Sequence, residues 1–128
     1  MESIGIGIGL VIVSHSKHIA EGVVELISKV AKDVPITYVG GTEGGGIGTS
    51  FDQVDRVVSE NPADTLLAFF DLGSAKMNLK MVTDFSDKSI IINRVPIVEG
   101  AYNAAALLQA GAELSVIQTQ LAELEINK

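Results

Sequence analysis

The chain opens with Ile6, Ile8 and the unbroken run Leu10-Val11-Ile12-Val13, then breaks into the polar triplet Ser14-His15-Ser16. A short, β-branched, uncharged run of this kind predicts a buried strand that ends at the triplet. From Lys17 the period changes: Ile19, Val23, Leu26, Ile27 and Val30 share one helical face, and Lys17, Glu21, Glu25 and Lys29 point elsewhere. This spacing predicts a helix with Ser16 as its cap. Pro35 opens a second strand, Ile36 to Val39, which gives way to a Gly40–Ser50 segment too rich in glycine for a regular element. The expectation there is a mobile or tightly folded loop. Ser50 or Asp52 caps a second helix bearing Val54, Val57 and Val58, and Asn61-Pro62 closes it.

Thr65 to Phe70 reads as a third buried strand, ending at Asp71. Leu72-Gly73-Ser74 turns into a helix with Leu79 and Val82 inside, and Ser89 to Asn93 is a fourth strand. Two helices close the chain, the last with Leu114, Ile117, Leu121 and Leu124 at three-to-four spacing. Strands alternating with helices predict a three-layer α/β fold: a mostly parallel sheet, of order 2-1-3-4, with helices on both faces and one domain over residues 1–128. Ligands of such sheets sit beyond the carboxyl ends of the strands where the winding reverses. That rule selects His15, the glycine loop and Asp71 together.

Composition narrows the function classes. With 128 residues and 47% hydrophobic content the chain can bury a full core, and aromatics at 5% with no Trp leave no stacking wall for bases. A formal charge of −7 repels a nucleic-acid backbone, so nucleic acid is not an expected partner. The absence of cysteine excludes disulfides, thiolate metal sites and thiol nucleophiles, and is compatible with a cytoplasmic location. The apolar opening from Ile4 to Val13 is too short and glycine-broken to span a bilayer, so no membrane is expected.

His15, at a strand end and just before a helix, is placed near unpaired backbone N–H groups and a positive dipole end, a setting that accepts phosphate. An imidazole held through one nitrogen by a carboxylate can attack phosphorus with the other, and Asp71 is the candidate holder. Asp71 also suits a helix cap before Gly73-Ser74, and both roles can coexist. His18, three residues after His15, has no third ligand at metal-site spacing, so no metal is expected. The glycine loop lacks the Gly-Lys-Ser/Thr of a nucleotide loop, although Thr42, Thr49 and Ser50 offer hydroxyls to a phosphoryl group. Ser74 is not in a Gly-x-Ser-x-Gly elbow, since Lys76 takes the last place, so transfer is better supported than hydrolysis. Met77 and Met81, on the helix that begins at this rim, suit either the core or a repacking contact surface.

Five ordered segments carry a resemblance that spans nearly the whole chain: Val11-Ile12-Val13-Ser14-His15-Ser16, Glu21-Gly22-Val23, Ile47-Gly48-Thr49, Asp71-Leu72-Gly73-Ser74-Ala75 and Pro96-Ile97-Val98-Glu99-Gly100. In this order they resemble the DhaM family, the phosphotransferase subunits of bacterial dihydroxyacetone kinase, whose fold is that of the mannose-type enzyme IIA domains. The resemblance implies a homodimer in which His15 receives a phosphoryl group from the carrier HPr. It implies transfer to ADP held by the DhaL subunit, the resulting ATP serving DhaK in phosphorylating dihydroxyacetone. By the same match Asp71 orients the imidazole, and Ser16, Gly48, Thr49 and Ser74 line the phosphoryl site. No cofactor is expected on this chain, ADP/ATP and magnesium belonging to the partner. Some relatives carry extra domains resembling HPr and part of enzyme I; a chain of one domain implies a separate HPr. Competing readings are a mannose-type enzyme IIA feeding a sugar-transporting IIB domain, and a noncatalytic anion-sensing α/β module. The Gly48-Thr49 loop and Val98-Glu99-Gly100 favour DhaM.

Overall fold

A computed structural model describes residues 7–128; Ile4 and Ile6 of the expected first strand lie outside the described residues. The elements follow the expected order: β1 (Ile8–Ser14), α1 (Lys17–Ser28), β2 (Ile36–Gly40), α2 (Phe51–Glu60), β3 (Thr65–Phe70), α3 (Gly73–Phe85), β4 (Ser89–Asn93), α4 (Ile97–Gln109) and α5 (Leu114–Ala122). The four strands form one parallel sheet of order β2-β1-β3-β4.

Strand pleating sorts the apolar residues into two cores. Leu10, Ile12, Leu67 and Phe69 face α1, α4 and α5, where they meet Val23, Ile27, Ala104, Ala105 and Ile117. Val11, Val13, Leu66, Ala68 and Phe70 face α2 and α3 and meet Val54, Val58, Leu79 and Val82. Because β1 and β3 are covered on both faces, almost every position in them is apolar, which is why they read as continuous runs rather than alternating ones.

Ser16 caps α1, its Oγ accepting from the N–H of Ile19 at 3.3 Å. Ser50, rather than Asp52, caps α2, with Oγ accepting from Gln53 N–H at 3.3 Å. The buried stripe of α1 is Ala20, Val23 and Ile27, not the broader face that includes Ile19 and Leu26, which are 47% and 44% exposed. The physical reason is geometric: a helix lying on a sheet buries only the stripe whose tangent touches it, and the small Ala20 lets α1 approach closely. In α5 only Ile117 and Leu121 are fully inside, and Leu124 lies beyond the helix end. Met77 and Met81 are both exposed on α3, so the core reading does not describe them. Among the described residues no helix is long and apolar enough to cross a membrane.

Candidate functional site

The order β2-β1-β3-β4 means that the first crossover runs from β1 to one side and the next jumps back over β1 to the other. The crevice created by this reversal opens at the carboxyl ends of β1 and β3. The register pairs Val13 with Phe70, so the residues that leave the two strands next, Ser14-His15 and Asp71, emerge side by side. Adjacent strands are about 4.8 Å apart, which is within reach of one hydrogen bond between side chains.

The contact is made. Asp71 Oδ1 lies 2.9 Å from His15 Nδ1 and accepts the main-chain N–H of Leu72 at 2.7 Å. Asp71 Oδ2 accepts the Ser14 hydroxyl at 2.7 Å and the main-chain N–H of His15 at 3.0 Å. Burial pushes the Asp71 carboxyl up, but the donors from Ser14, the His15 ring, and the main chain of His15 and Leu72 outweigh it and hold the pKa below the ordinary carboxylate value. An ionised Asp71 only accepts, so the proton between the two side chains sits on Nδ1 of His15. In the neutral ring the lone pair is then on Nε2, which faces Ser74 Oγ at 2.5 Å. Both the imidazole and the carboxylate keep 14% side-chain exposure, enough to be reached from the rim.

Asp71 is not the cap of α3. That position belongs to Leu72, which makes no side-chain cap bond, and both Asp71 oxygens are engaged by Ser14, His15 and Leu72.

The glycine segment is tightly folded. Thr42 N–H donates to Gly46 O at 2.9 Å, Gly45 N–H donates to Thr42 O at 2.9 Å, and Thr42 Oγ1 accepts from Gly46 N–H at 3.1 Å. Gly48 N–H then donates to the carbonyl of His15 at 2.9 Å, which pins the loop over the residue that carries the ring. Its φ of +145° and the 2.9 Å that would separate a Cβ from Thr42 Cγ2 both demand glycine. At Gly40 a Cβ would run into the carbonyl of Ser16, so the β2 end and the start of α1 can meet only with glycine there.

The structure thus brings His15, Asp71, Ser74 and the backbone of Gly48 together. Thr49 Oγ1 accepts from Asn78 Nδ2 at 3.3 Å. The hydroxyls of Ser16, Ser50 and Thr42 are engaged in the two caps and in the loop turn. His18 is exposed, and among the described residues no three His, Asp or Glu side chains converge as a metal cage would require.

Two participants were not foreseen from the sequence. Ser14 is buried and its Oγ both donates to Asp71 and accepts the Ser16 N–H at 3.0 Å; its place beside His15 was the available signal. Lys128 comes from the far end of the chain with no local signal. Its Nζ donates to Phe70 O at 2.6 Å and lies 4.4 Å from the centroid of the Phe70 ring.

The chain is similar to known proteins over nearly its whole length. Residues 9–118 match the family model EIIA-man, described as PTS system fructose IIA component. The chain is 54% identical to "PTS-dependent dihydroxyacetone kinase, phosphotransferase subunit DhaM" of Lactococcus lactis subsp. lactis, over 94% of this chain and 98% of that protein. It is 50% identical to "PEP-dependent dihydroxyacetone kinase 1, phosphoryl donor subunit DhaM" of Listeria innocua, over 92% and 95% of the two chains. A crystal structure described as "unknown function protein EF1359" superimposes with a TM-score of 0.82 at 26% identity, covering 94% of this chain and 97% of that one.

Proposed function

Because the chain belongs to the EIIA-man family, and within it to the DhaM phosphotransferase subunits, we propose that it carries a phosphoryl group on Nε2 of His15, taken from HPr and given to ADP bound by a DhaL subunit. The observation that carries this reading is the 2.9 Å contact between Nδ1 and the ionised Asp71, because it holds the ring through Nδ1 and leaves Nε2, beside Ser74 Oγ, as the nitrogen that can attack.

In the first step the Nε2 lone pair attacks phosphorus on phospho-HPr, the bond to the donor atom of HPr breaks and a P–Nε2 bond forms. The Nδ1 proton stays between ring and carboxylate, so positive charge that grows on the ring is met by Asp71. Ser74 Oγ, beside Nε2 at rest, turns to donate to a phosphoryl oxygen, and the Gly48 loop holds the His15 backbone in place. In the second step a β-phosphate oxygen of ADP attacks, the P–Nε2 bond breaks, and ATP forms on DhaL for use by DhaK on dihydroxyacetone. The transfer asks the protein mainly to position the group and keep water away.

The chain has no nucleotide loop of its own, so ADP and its magnesium arrive with the partner. A docking partner would meet Ile19, Ile47, Leu72 and Met77, all exposed and all carried by segments that bear or border the site. We further expect a homodimer, which light scattering at micromolar concentration reads as twice the mass of one chain.

The test is to incubate the protein with phosphoenolpyruvate, enzyme I and HPr, confirm one phosphoryl group by intact mass, and then add DhaL loaded with ADP or a mannose-type IIB domain. Bound ATP in the first mixture supports the proposal. Transfer only to the IIB domain would make the chain a sugar-transport component that still uses His15, and binding of phosphate without covalent uptake would make it an anion sensor.

A further inference from the structure

We propose that Lys128 is the counter-charge of the phosphoryl site: its ammonium, held at the carboxyl end of β3, acts through Asp71 to offset the negative charge that gathers when a phosphoryl group joins the carboxylate at His15. This deepens the carrier reading and rests on it.

Lys128 is placed by a chain of specific contacts rather than left in solvent. After α5 the backbone runs back across the end of β4, where Ile126 N–H donates to Arg94 O at 2.8 Å and Glu125 meets the Arg94 guanidinium at 3.4 Å. Lys76, in the first turn of α3, donates from Nζ to the main-chain oxygen of Lys128 at 2.8 Å. The Lys128 side chain then turns inward onto the Phe70 carbonyl and the face of the Phe70 ring. Phe70 is fully buried and immediately precedes Asp71. Lysine ammonium is strongly hydrated, and drawing it partly out of water lowers its pKa; the Asp71 charge works in the opposite sense. Lys128 Nζ is thus fixed on the residue that immediately precedes Asp71, where the two charges act on each other through space.

At rest, the Asp71 charge is met by N–H and O–H donors from Ser14, His15 and Leu72. A phosphoryl group adds between one and two further negative charges nearby, in a chain already at −7. Two other lysines stand near the rim. Lys76 is spent on the Lys128 main chain, and Lys17 is exposed and lines the cleft along β2 with Glu21 and Tyr38. Lys128 is therefore a positioning and charge-balancing residue, not one that touches the reacting atoms.

The experiment uses the full chain and two variants, Lys128→Met and Lys128→Arg. The first measurement needs no phosphorylation: the Asp71 carboxyl carbon is followed by NMR as pH is lowered. The groups that touch it are Ser14 and His15 from the β1 end and Leu72 N–H, while Lys128, held on the Phe70 carbonyl and in turn bonded by Lys76 of α3, acts on it through space. Removing the cation raises the Asp71 midpoint by about 0.5 pH unit in Lys128→Met, and Lys128→Arg restores it. The second measurement equilibrates each protein with a fixed ratio of phospho-HPr to HPr, where the phosphorylated fraction ratio on His15 falls about 3- to 10-fold in Lys128→Met and recovers in Lys128→Arg. An unmoved Asp71 titration in Lys128→Met, or an unmoved equilibrium, overturns the proposal. If the wild-type chain accepts no phosphoryl group, the carrier reading fails instead, and the Asp71 titration still decides whether Lys128 supplies the counter-charge.

Discussion

Nδ1 of His15 lies 2.9 Å from Oδ1 of Asp71, and the second oxygen of the same carboxylate accepts the main-chain N–H of His15 at 3.0 Å. One carboxylate therefore fixes both the ring and the backbone that carries it. The ring can neither flip nor swing without losing a charge-assisted hydrogen bond, which sets the direction of Nε2 before any donor arrives.

That fixed direction predicts the site of labelling. Phosphohistidine should form at Nε2 of His15, and long-range nitrogen-proton NMR of the labelled protein distinguishes it from the Nδ1 isomer. His15→Ala should abolish uptake from phospho-HPr, whereas His18→Ala should leave it within a factor of about 2, because His18 is an exposed helix residue. A phosphoryl group found on Nδ1 would contradict the orientation that Asp71 imposes on the ring.

Asp71→Asn keeps the shape of the side chain but puts an amide where the carboxylate accepts from four donors. Transfer to His15 should slow by about 100-fold or more, with the circular dichroism spectrum unchanged. Near wild-type transfer in a folded Asp71→Asn protein would reduce Asp71 to a scaffold for the Ser14-His15 turn.

The pH dependence of stability follows from the same carboxylate. The folded pKa of Asp71 is depressed below its ordinary value, so its contribution is fully present above the unfolded carboxylate pKa of about 3.9 and is lost as pH falls through the lower folded value. Urea melts of wild type and Asp71→Asn should differ by a constant amount from neutral pH down to about pH 5 and converge below about pH 4. A gap that stays constant to the lowest pH at which both fold would mean that Asp71 is not held ionised by its donors.

Gly48 offers a test of the loop. Alanine there would take on a positive φ and press Cβ against Thr42, at a cost of about 1–3 kcal/mol. The loop can relieve this by releasing its bond to the His15 carbonyl, so Gly48→Ala should slow transfer more than it lowers the melting temperature. Unchanged kinetics in a folded Gly48→Ala protein would show that the loop only covers the rim.

The order of elements, the bounds of β3 and β4, the Ser16 cap and the pairing of His15 with Asp71 could all be read from local pattern, whereas the choice of Ser50 over Asp52 as the α2 cap could not. Each depends on interactions within a few residues or on a topological rule. A β-branched run cannot bury itself except as a covered strand, and alternation with helices makes the sheet parallel. The reversal of winding then leaves one crevice in which a strand-end histidine and aspartate can meet.

Other features depend on contacts across long stretches of chain, and local pattern is blind to them. Helical periodicity marks Ile19 and Leu26 as apolar but cannot say that α1 rests on the sheet along Ala20, Val23 and Ile27, because that angle is set by the neighbouring α4 and the strands below. Met77 and Met81 are equally ambiguous until the sheet face is seen to be filled by Leu79 and Val82. Ser14 and Ser16 are near neighbours of His15 with the same hydroxyl, yet one serves Asp71 and the other the helix cap, since strand pleating turns the first inward. Lys128 is the furthest case: 58 residues separate it from Phe70, and nothing in the tail's composition marks it. Chemistry and topology are encoded residue by residue and survive any small rotation of a helix, whereas the identity of the groups that surround the imidazole depends on how whole elements pack. That packing exists only once the two cores have closed.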